Sequence, residues 1–334
     1  MRRTRLTAVL AVAASIVLTA CLPGSGAGSS PAAGPAHAPN PLAGAKLYVD
    51  PDTHAAVAVK DLHARGDHNH AQLLEKIARQ PMAHWLTGAP DDAQVAGQLA
   101  AQSFAQGAIP TFVLYNLPQR DAGGGFSSGG AADPAAYQAW VQGIADAIGG
   151  HSAIIIMEPD AVTAVADHHL DGYASTARLA SIKQGIVTLA ALPQSFVYLD
   201  AGNAGWKSPA DMVWPLREAG VDQAKGIAVN VSNFYSDDDS QKYGTELLRQ
   251  LGDNGGMVID SSRNGNGPSD IADNPWCNPP GRAIGNPPST GFADSLVNAW
   301  LWIKIPGDSD GSCRDGAPPA GDFWLQYAIE LVLN

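Results

Sequence analysis

Along residues 45–334, short apolar runs alternate with longer stretches in which apolar residues return every three or four positions. The runs lie at 46–49, 82–86, 109–115, 153–157, 196–199, 227–231, 257–259 and 299–303 and are rich in Val, Ile, Tyr and Trp, side chains that fit a pleated, buried surface. Residues 91–106, 134–148, 174–192 and 246–251 carry the helical spacing, with an acid or Pro near their starts. Strands that are apolar on both faces must be covered on both, and strands alternating with helices pair in parallel. Seven or eight such units predict an α/β fold, a distorted (β/α) barrel of seven to eight parallel strands in a single domain over 45–334. An open doubly wound sheet is the alternative. Residues 323–333 read as a closing helix.

The pattern changes before residue 45. Met1-Arg2-Arg3-Thr4-Arg5 is basic, and the apolar run 6–18 is too short for a comfortable membrane span, so residues 1–20 read as an export signal. Leu18-Thr19-Ala20-Cys21 resembles the lipobox of bacterial lipoproteins, which implies a lipid on Cys21. An ordinary signal cut at a small residue is the alternative. Residues 22–44 are Pro, Gly, Ala and Ser without apolar period and read as a flexible linker. The expected product is exported, either a cell-surface lipoprotein or secreted, and meets a membrane only through Cys21. With Cys21 lipidated, Cys277 and Cys313 remain as an even pair for one disulfide. Such a bond contributes about 3 kcal/mol by the loop-entropy argument; two buried thiols are the alternative.

The formal charge is −12, and removal of Arg2, Arg3 and Arg5 makes it more negative. A chain this acidic with no basic stripe is a poor nucleic-acid binder, and none is expected as a partner. Eight Trp and eight Tyr point toward sugar stacking, although aromatics are also ordinary core residues.

The candidate chemistry sits where apolar runs end. After 109–115 come Asn116 to Asp121; after 153–157, Glu158-Pro159-Asp160; after 196–199, Asp200-Ala201-Gly202-Asn203. Later runs lead into Asn230 to Asn233, Asp260-Ser261-Ser262-Arg263, and Lys304 followed by Asp308-Ser309-Asp310. Barrel active sites form at this strand edge. Taken singly, each Asp reads as a helix cap or a surface ion-pair partner; converging on one cleft, they permit one carboxyl to keep a proton while another stays ionised, as glycoside hydrolysis requires.

These segments, with Tyr115-Asn116-Leu117-Pro118-Gln119-Arg120-Asp121, Trp276-Cys277-Asn278-Pro279 and Lys304-Ile305-Pro306-Gly307-Asp308-Ser309-Asp310-Gly311, resemble in order the motifs of glycoside hydrolase family 6, the cellulases. The resemblance spans about Lys46 to Asn334. It implies an inverting endoglucanase or cellobiohydrolase on a distorted seven-stranded barrel, acting on a β-1,4-glucan chain; no cofactor or metal is expected, and the expected state is a monomer. By resemblance, Asp160 is the general acid, Asp121 keeps it protonated and helps carry the water's proton, Asp310 stands at the position argued to be the base, and Tyr115 lies under the distorted sugar. Ser127 matches the serine that positions the water. Trp85, Trp206 and Trp276 match stacking positions, with core packing the alternative for each. Lys304, Asp308 and Asn233 match hydroxyl-binding positions, and Asp200 and Arg263 match groups that orient the acids. Compactness after Arg263 and Trp276 favours an open cleft and internal cutting over exo action. The sequence departs from the family's pattern at Ala122, where a cysteine is usual, at Asn203, where a histidine is frequent, and at the Gly311-Ser312 pair.

Other readings carry less. Gly125-Phe126-Ser127-Ser128-Gly129 has the form of an esterase elbow but lacks the strand directly before it. His63, His68 and His70 with Asp61 and Asp67, and Asp167-His168-His169, lack usual metal-ligand spacing and read as helix ends or loops. Asp308-Ser309-Asp310 begins like a calcium loop, but Cys313 stands where glycine is needed. Asp237-Asp238-Asp239 reads as a solvated helix start. A lipoprotein that captures glucan on this barrel without cutting it is the non-enzymatic alternative.

Overall fold

The computed structural model describes residues 39–122, 125–252, 255–293 and 295–334. The export signal, Cys21 and most of the linker lie outside them. Among the described residues, seven strands form one all-parallel sheet in chain order: β1 His84–Leu86, β2 Thr111–Leu114, β3 Ala153–Met157, β4 Ser195–Asp200, β5 Gly226–Val229, β6 Gly256–Asp260 and β7 Val297–Leu301. A parallel bridge between Met82 and Trp302 brings the chain before β1 to the chain after β7, curling the sheet toward closure. A doubly wound sheet would reverse strand order at a switch point, and this one does not.

Strands β2, β3, β5 and β6 are buried at every position. Along β3 the side chains alternate: Ile154 and Ile156 fill the inside of the sheet with Val113, Tyr198 and Val258, whereas Ile155 and Met157 pack outward with Ile144, Leu179 and Ile182. The outer layer comes from α3 Asp92–Ala105, α4 Pro134–Ile148, α5 Ala161–Ala166, α6 Gly172–Ala190, α7 Pro209–Glu218 and α8 Asp237–Leu251. A third cluster joins α1 His54–Ala64, α2 His68–Ala78 and α9 Leu325–Leu333 around Trp302.

Three expectations change. The run 46–49 is not a strand: Leu47 makes a single parallel bridge to Ile109, which leaves seven strands. Asn40 and Leu42, within the stretch read as linker, are buried; Asn40 donates to the carbonyls of Phe292 and Asn298, and Leu42 packs inside the sheet. Helices α1 and α2 add to the helical segments read from the spacing: α1 buries mainly small side chains, Ala55 and Ala56 with Leu62, whereas α2 buries Ala71, Leu74 and Ile77 at three-residue steps. His63 falls in the last turn of α1, and His68 and His70 in the first turn of α2, where the Asp67 side chain caps His70 N–H. Asp237 to Asp239 open α8 behind a Ser236 cap.

The paired cysteines are joined: Cys277 and Cys313 form a disulfide across a separation of 36 residues. It ties the segment after β6 to the segment after β7, both of which contribute to the groove at the C-terminal rim of the sheet.

Candidate active site

Every strand of the sheet runs into the same rim, and the turns there adopt backbone conformations that side-chain-bearing residues rarely take. Gln119, Asp121, Glu158, Asp160, Asn230, Ser232 and Asn278 all have positive φ. Such strain persists only where surrounding contacts enforce it, and it clusters at functional sites. At Asp160, Ser232 and Asn278 the residue's own N–H is held by a buried carboxylate, that of Asp200, Asp260 and Asp310 respectively.

Glu158 and Asp160 leave β3. The Glu158 carboxylate accepts from Asn116 and Leu117 N–H, at 3.1 and 3.2 Å, fixing the start of the loop after β2. Burial pushes Glu158 up to about 7, against the pull of those N–H groups and Arg178. Asp160 opens α5 in a left-handed conformation, and its N–H donates to Asp200 at 3.0 Å. Asp200 is buried, and desolvation with the neighbouring Asp160 holds it well above the ordinary range. Asp260, at the end of β6, gathers the N–H groups of Ser232, Ser262, Ile303 and Lys304. These three acids fix the loops.

The loop after β2 carries Asp121. Arg178 donates to the carbonyls of Pro118 and Gln119, and Arg120 donates to those of Thr87, Tyr115 and Ser127. Asp121 accepts from Ser127 N–H at 2.6 Å. The chain returns through Gly130 at φ 99, where a Cβ would lie 1.8 Å from the Leu117 carbonyl oxygen, so only glycine closes this loop.

A groove of about 460 Å³ opens at this rim. Asp160, Asp121, Asp310, Tyr115, Ser127, Trp85, Trp206, Trp276, Asn233 and Lys304 all line it. Its two sides are electrostatically opposite. On one side, desolvation and then the charges of Asp121 and Asp310 raise Asp160 to about 7. Burial, Asp160 and Asp121 likewise keep the Tyr115 phenol protonated far above its usual range. On the other, burial alone would raise Asp310, but Arg263 at 2.8 Å and Lys304 at 3.0 Å hold it below the usual carboxylate range. Asp310 is also locked to Asn278, accepting from its N–H and donating its own N–H to the side-chain oxygen. The extra residue in Gly311-Ser312 thus leaves Asp310 pinned. Two carboxyls in one groove, one pushed toward retaining a proton and one toward ionisation, are the arrangement acid catalysis needs.

The aromatic rings are fixed rather than free. Trp85 donates its indole N–H to the Ile303 carbonyl and meets Tyr115 edge-on at 5.5 Å; Trp206 donates to Asp167; Trp276 meets Phe126 edge-on at 5.8 Å. Asp200 and Arg263 stand behind the wall, where they bond the Asp160 N–H and the Asp310 carboxylate. Asp308, which the resemblance matched to a hydroxyl-binding position, is buried, stands outside the groove lining and pairs with His54 at 2.9 Å. Asn203 lines the groove, where its side-chain oxygen accepts from Gly205 N–H.

Sequence reasoning gave no roles to Glu158, Asp260, Arg178, Arg120 or Asn278. The apolar-to-acidic step at each strand end was the available signal for the acids; nothing in the spacing shows that a carboxylate gathers N–H groups from several loops. Residues 125–130 lie within the long loop from β2 to α4, adjoining neither the end of the strand nor the start of the helix, so the Gly-x-Ser-x-Gly match has no elbow. Among the described residues no three His, Cys, Asp or Glu side chains converge to hold a metal ion.

Residues 42–334 match the family described as Glycosyl hydrolases family 6. The chain is 38% identical over 299 residues to Endoglucanase A of Cellulomonas fimi, covering 89% of this chain and 62% of that protein. It is 37% identical over 318 residues to Endoglucanase 1 of Streptomyces halstedii, covering 90% and 93%. In three dimensions it resembles the endoglucanase Cel6 from Mycobacterium tuberculosis, solved with methyl-cellobiosyl-4-deoxy-4-thio-β-D-cellobioside. The TM-score is 0.81 at 39% identity, over 87% of this chain and 98% of that one.

Proposed function

The chain belongs to glycosyl hydrolases family 6, and from that premise we propose that it is an endoglucanase cutting internal β-1,4-glucosidic bonds with inversion at the anomeric carbon. The observation that carries the reading is the opposed pair in one aromatic-lined groove: Asp160 raised to about 7 and Asp310 held low. The names and 37–38% identity of the bacterial relatives support internal over terminal cutting.

A glucan chain lies in the groove with sugar faces against Trp85, Trp206 and Trp276, whose indoles are held by their neighbours. Asp160 gives its proton to the glycosidic oxygen as the C1–O bond breaks. Tyr115, beneath the reacting ring, stays neutral. A water attacks C1 from the opposite face, with Ser127 in the same wall to hold it. Its proton passes through groove water to the carboxylates and returns Asp160 to its acid form. Asp310 stays ionised beside Arg263 and Lys304, so its charge stabilises the oxocarbenium-like centre, while those cations weaken it as a direct base. Asp121 repels charge on Asp160, preserving the acid. Asn233 and Lys304 meet sugar hydroxyls.

We take residues 1–20 as an export signal and Cys21 as a lipid carrier, giving a surface-attached monomer. The Cys277–Cys313 bond supports an oxidising compartment.

New reducing ends on carboxymethylcellulose test hydrolysis, and a fall in viscosity that outpaces them tests internal cutting. Proton NMR of cello-oligosaccharide digests should show the α-anomer first. An early excess of β-anomer contradicts inversion, and absence of reducing ends would leave only glucan capture.

A further inference from the structure

Asp167-His168-His169 plays no part in the hydrolytic chemistry, yet it sits at the far end of the short helix that Asp160 opens. After α5 the chain turns through His168 at φ 57, and His169 N–H donates back to Ala164. This turn throws the His169 ring against the segment carrying Asp121. Nδ1 lies 3.2 Å from the Ala122 carbonyl oxygen, and Nε2 lies 3.1 Å from the Asp167 carboxylate. The other oxygen of that carboxylate meets Lys207, while the indole N–H of Trp206 donates at 3.1 Å to the same oxygen that faces His169. One connected set of contacts therefore runs from the Trp206 ring through Asp167 and His169 to the residue after Asp121. His169, Trp206 and Ala122 all line the groove.

We propose that His169 is a positioning residue that holds Asp121 at its working distance from Asp160, through the Ala122 carbonyl, with Asp167 joining this brace to the Trp206 platform. The inference rests on the hydrolytic reading of the groove. Its logic is mechanical. Glu158, Arg178 and Arg120 fix the loop before and at Asp121, whereas His169 supplies the hold just after it, from the same helix that carries the acid. Since Asp121 is the largest charge acting to keep Asp160 protonated, the brace sets the strength of that repulsion.

Both atoms facing the ring are acceptors, a carbonyl and a carboxylate, so the two contacts are made together only by the doubly protonated ring. The neutral ring donates to one and leaves the other unmade. The charged groups around it are Asp167 on its own turn, Lys207 on the β4–α7 loop, and Asp121 one residue from its carbonyl partner on the β2–α4 loop. Hydrogen bonds from Lys207 and Trp206 hold Asp167 below the usual carboxylate range, so the counter-charge is in place.

The test compares wild type, His169→Ala and His169→Gln in the full chain on cellotetraose. His169→Ala should lower kcat about tenfold, an effect of mispositioning. Binding of a thio-linked, uncleavable cello-oligosaccharide should change by less than about threefold, because the stacking rings remain. The alkaline limb of kcat/KM should move to lower pH by about half a unit, since a receding Asp121 repels the Asp160 charge less. His169→Gln, whose amide donates to the Ala122 carbonyl, should recover most of the turnover and restore the limb. An unmoved alkaline limb in His169→Ala, or equal losses in the Ala and Gln variants, overturns the inference. Wild type that cleaves nothing defeats the hydrolytic reading instead, so the two failures are told apart.

Discussion

Asp160→Ala should lower turnover of cello-oligosaccharides by about 10³- to 10⁴-fold, the upper range for losing a general acid, while the protein folds normally. The loss should depend on the leaving group. An unactivated sugar must depart as an alcohol and needs the Asp160 proton, whereas an aryl cellobioside with a strongly acidic phenol departs unaided and should be cleaved within about tenfold of wild type. Equal losses on both substrates would remove Asp160 from the acid role.

The same substitution should leave a stability signature. Between the ordinary value of 3.8 and the folded value of about 7, native Asp160 binds a proton that the unfolded chain has released. Native binding of extra protons makes stability fall as pH rises through that window, and above the folded value no further loss accrues. Removing the carboxyl removes this slope. The melting temperature of Asp160→Ala relative to wild type should therefore rise from about pH 4 to about pH 8. A flat difference would mean that Asp160 titrates like a solvated acid.

Arg263→Leu is expected to give the largest stability loss, about 3–5 kcal/mol at neutral pH, because it leaves a buried carboxylate short of its main cation. The Arg263 side chain is fully buried; it donates to Asp310 at 2.8 Å and to the Ser232 carbonyl at 2.6 Å, and its guanidinium lies 4.4 Å over the Phe234 ring. Lys304 remains, but a single ammonium does not replace a fork that also binds the Ser232 backbone. The sign with pH follows from the depressed Asp310. Its contribution in wild type is present above 3.8 and is lost as pH falls through its lower folded value. The penalty of Arg263→Leu should thus be greatest near neutrality and shrink in acid. The double variant Arg263→Leu with Asp310→Asn should recover much of the stability, though not the activity. Denaturant titrations checking these variants would contradict the pairing if the double variant were no more stable than the single one.

Much of the fold and the site is legible in the apolar runs and the polar residues at their ends. Strands β2 to β7 coincide with six of those runs because a parallel strand covered on both faces leaves an uninterrupted apolar signature. The run at 46–49 looks the same locally, but whether it extends the sheet depends on a neighbour, and it finds only Ile109. Asp160, Asp121 and Asp310 were identifiable as a set because each ends a strand segment or its loop. Which of them keeps a proton was not derivable from spacing. That depends on Arg263 and Lys304 reaching Asp310 and not Asp160, a matter of three-dimensional partners. Asp308 shows the same limit in reverse. Two residues from Asp310 in the motif, it turns to His54. The role of His169 was invisible because its carbonyl partner is 47 residues earlier in the chain.

Asp160 keeps a proton up to about neutral pH, ready for the departing sugar. Carbon-13 NMR titration of the protein labelled at aspartate carboxyls, with Asp160→Asn as the assignment control, measures this directly. A carboxyl that titrates near 7 and vanishes in the variant is the expected result. A resonance lost in the variant that instead titrates below about 5, in the ordinary carboxylate range, contradicts the account.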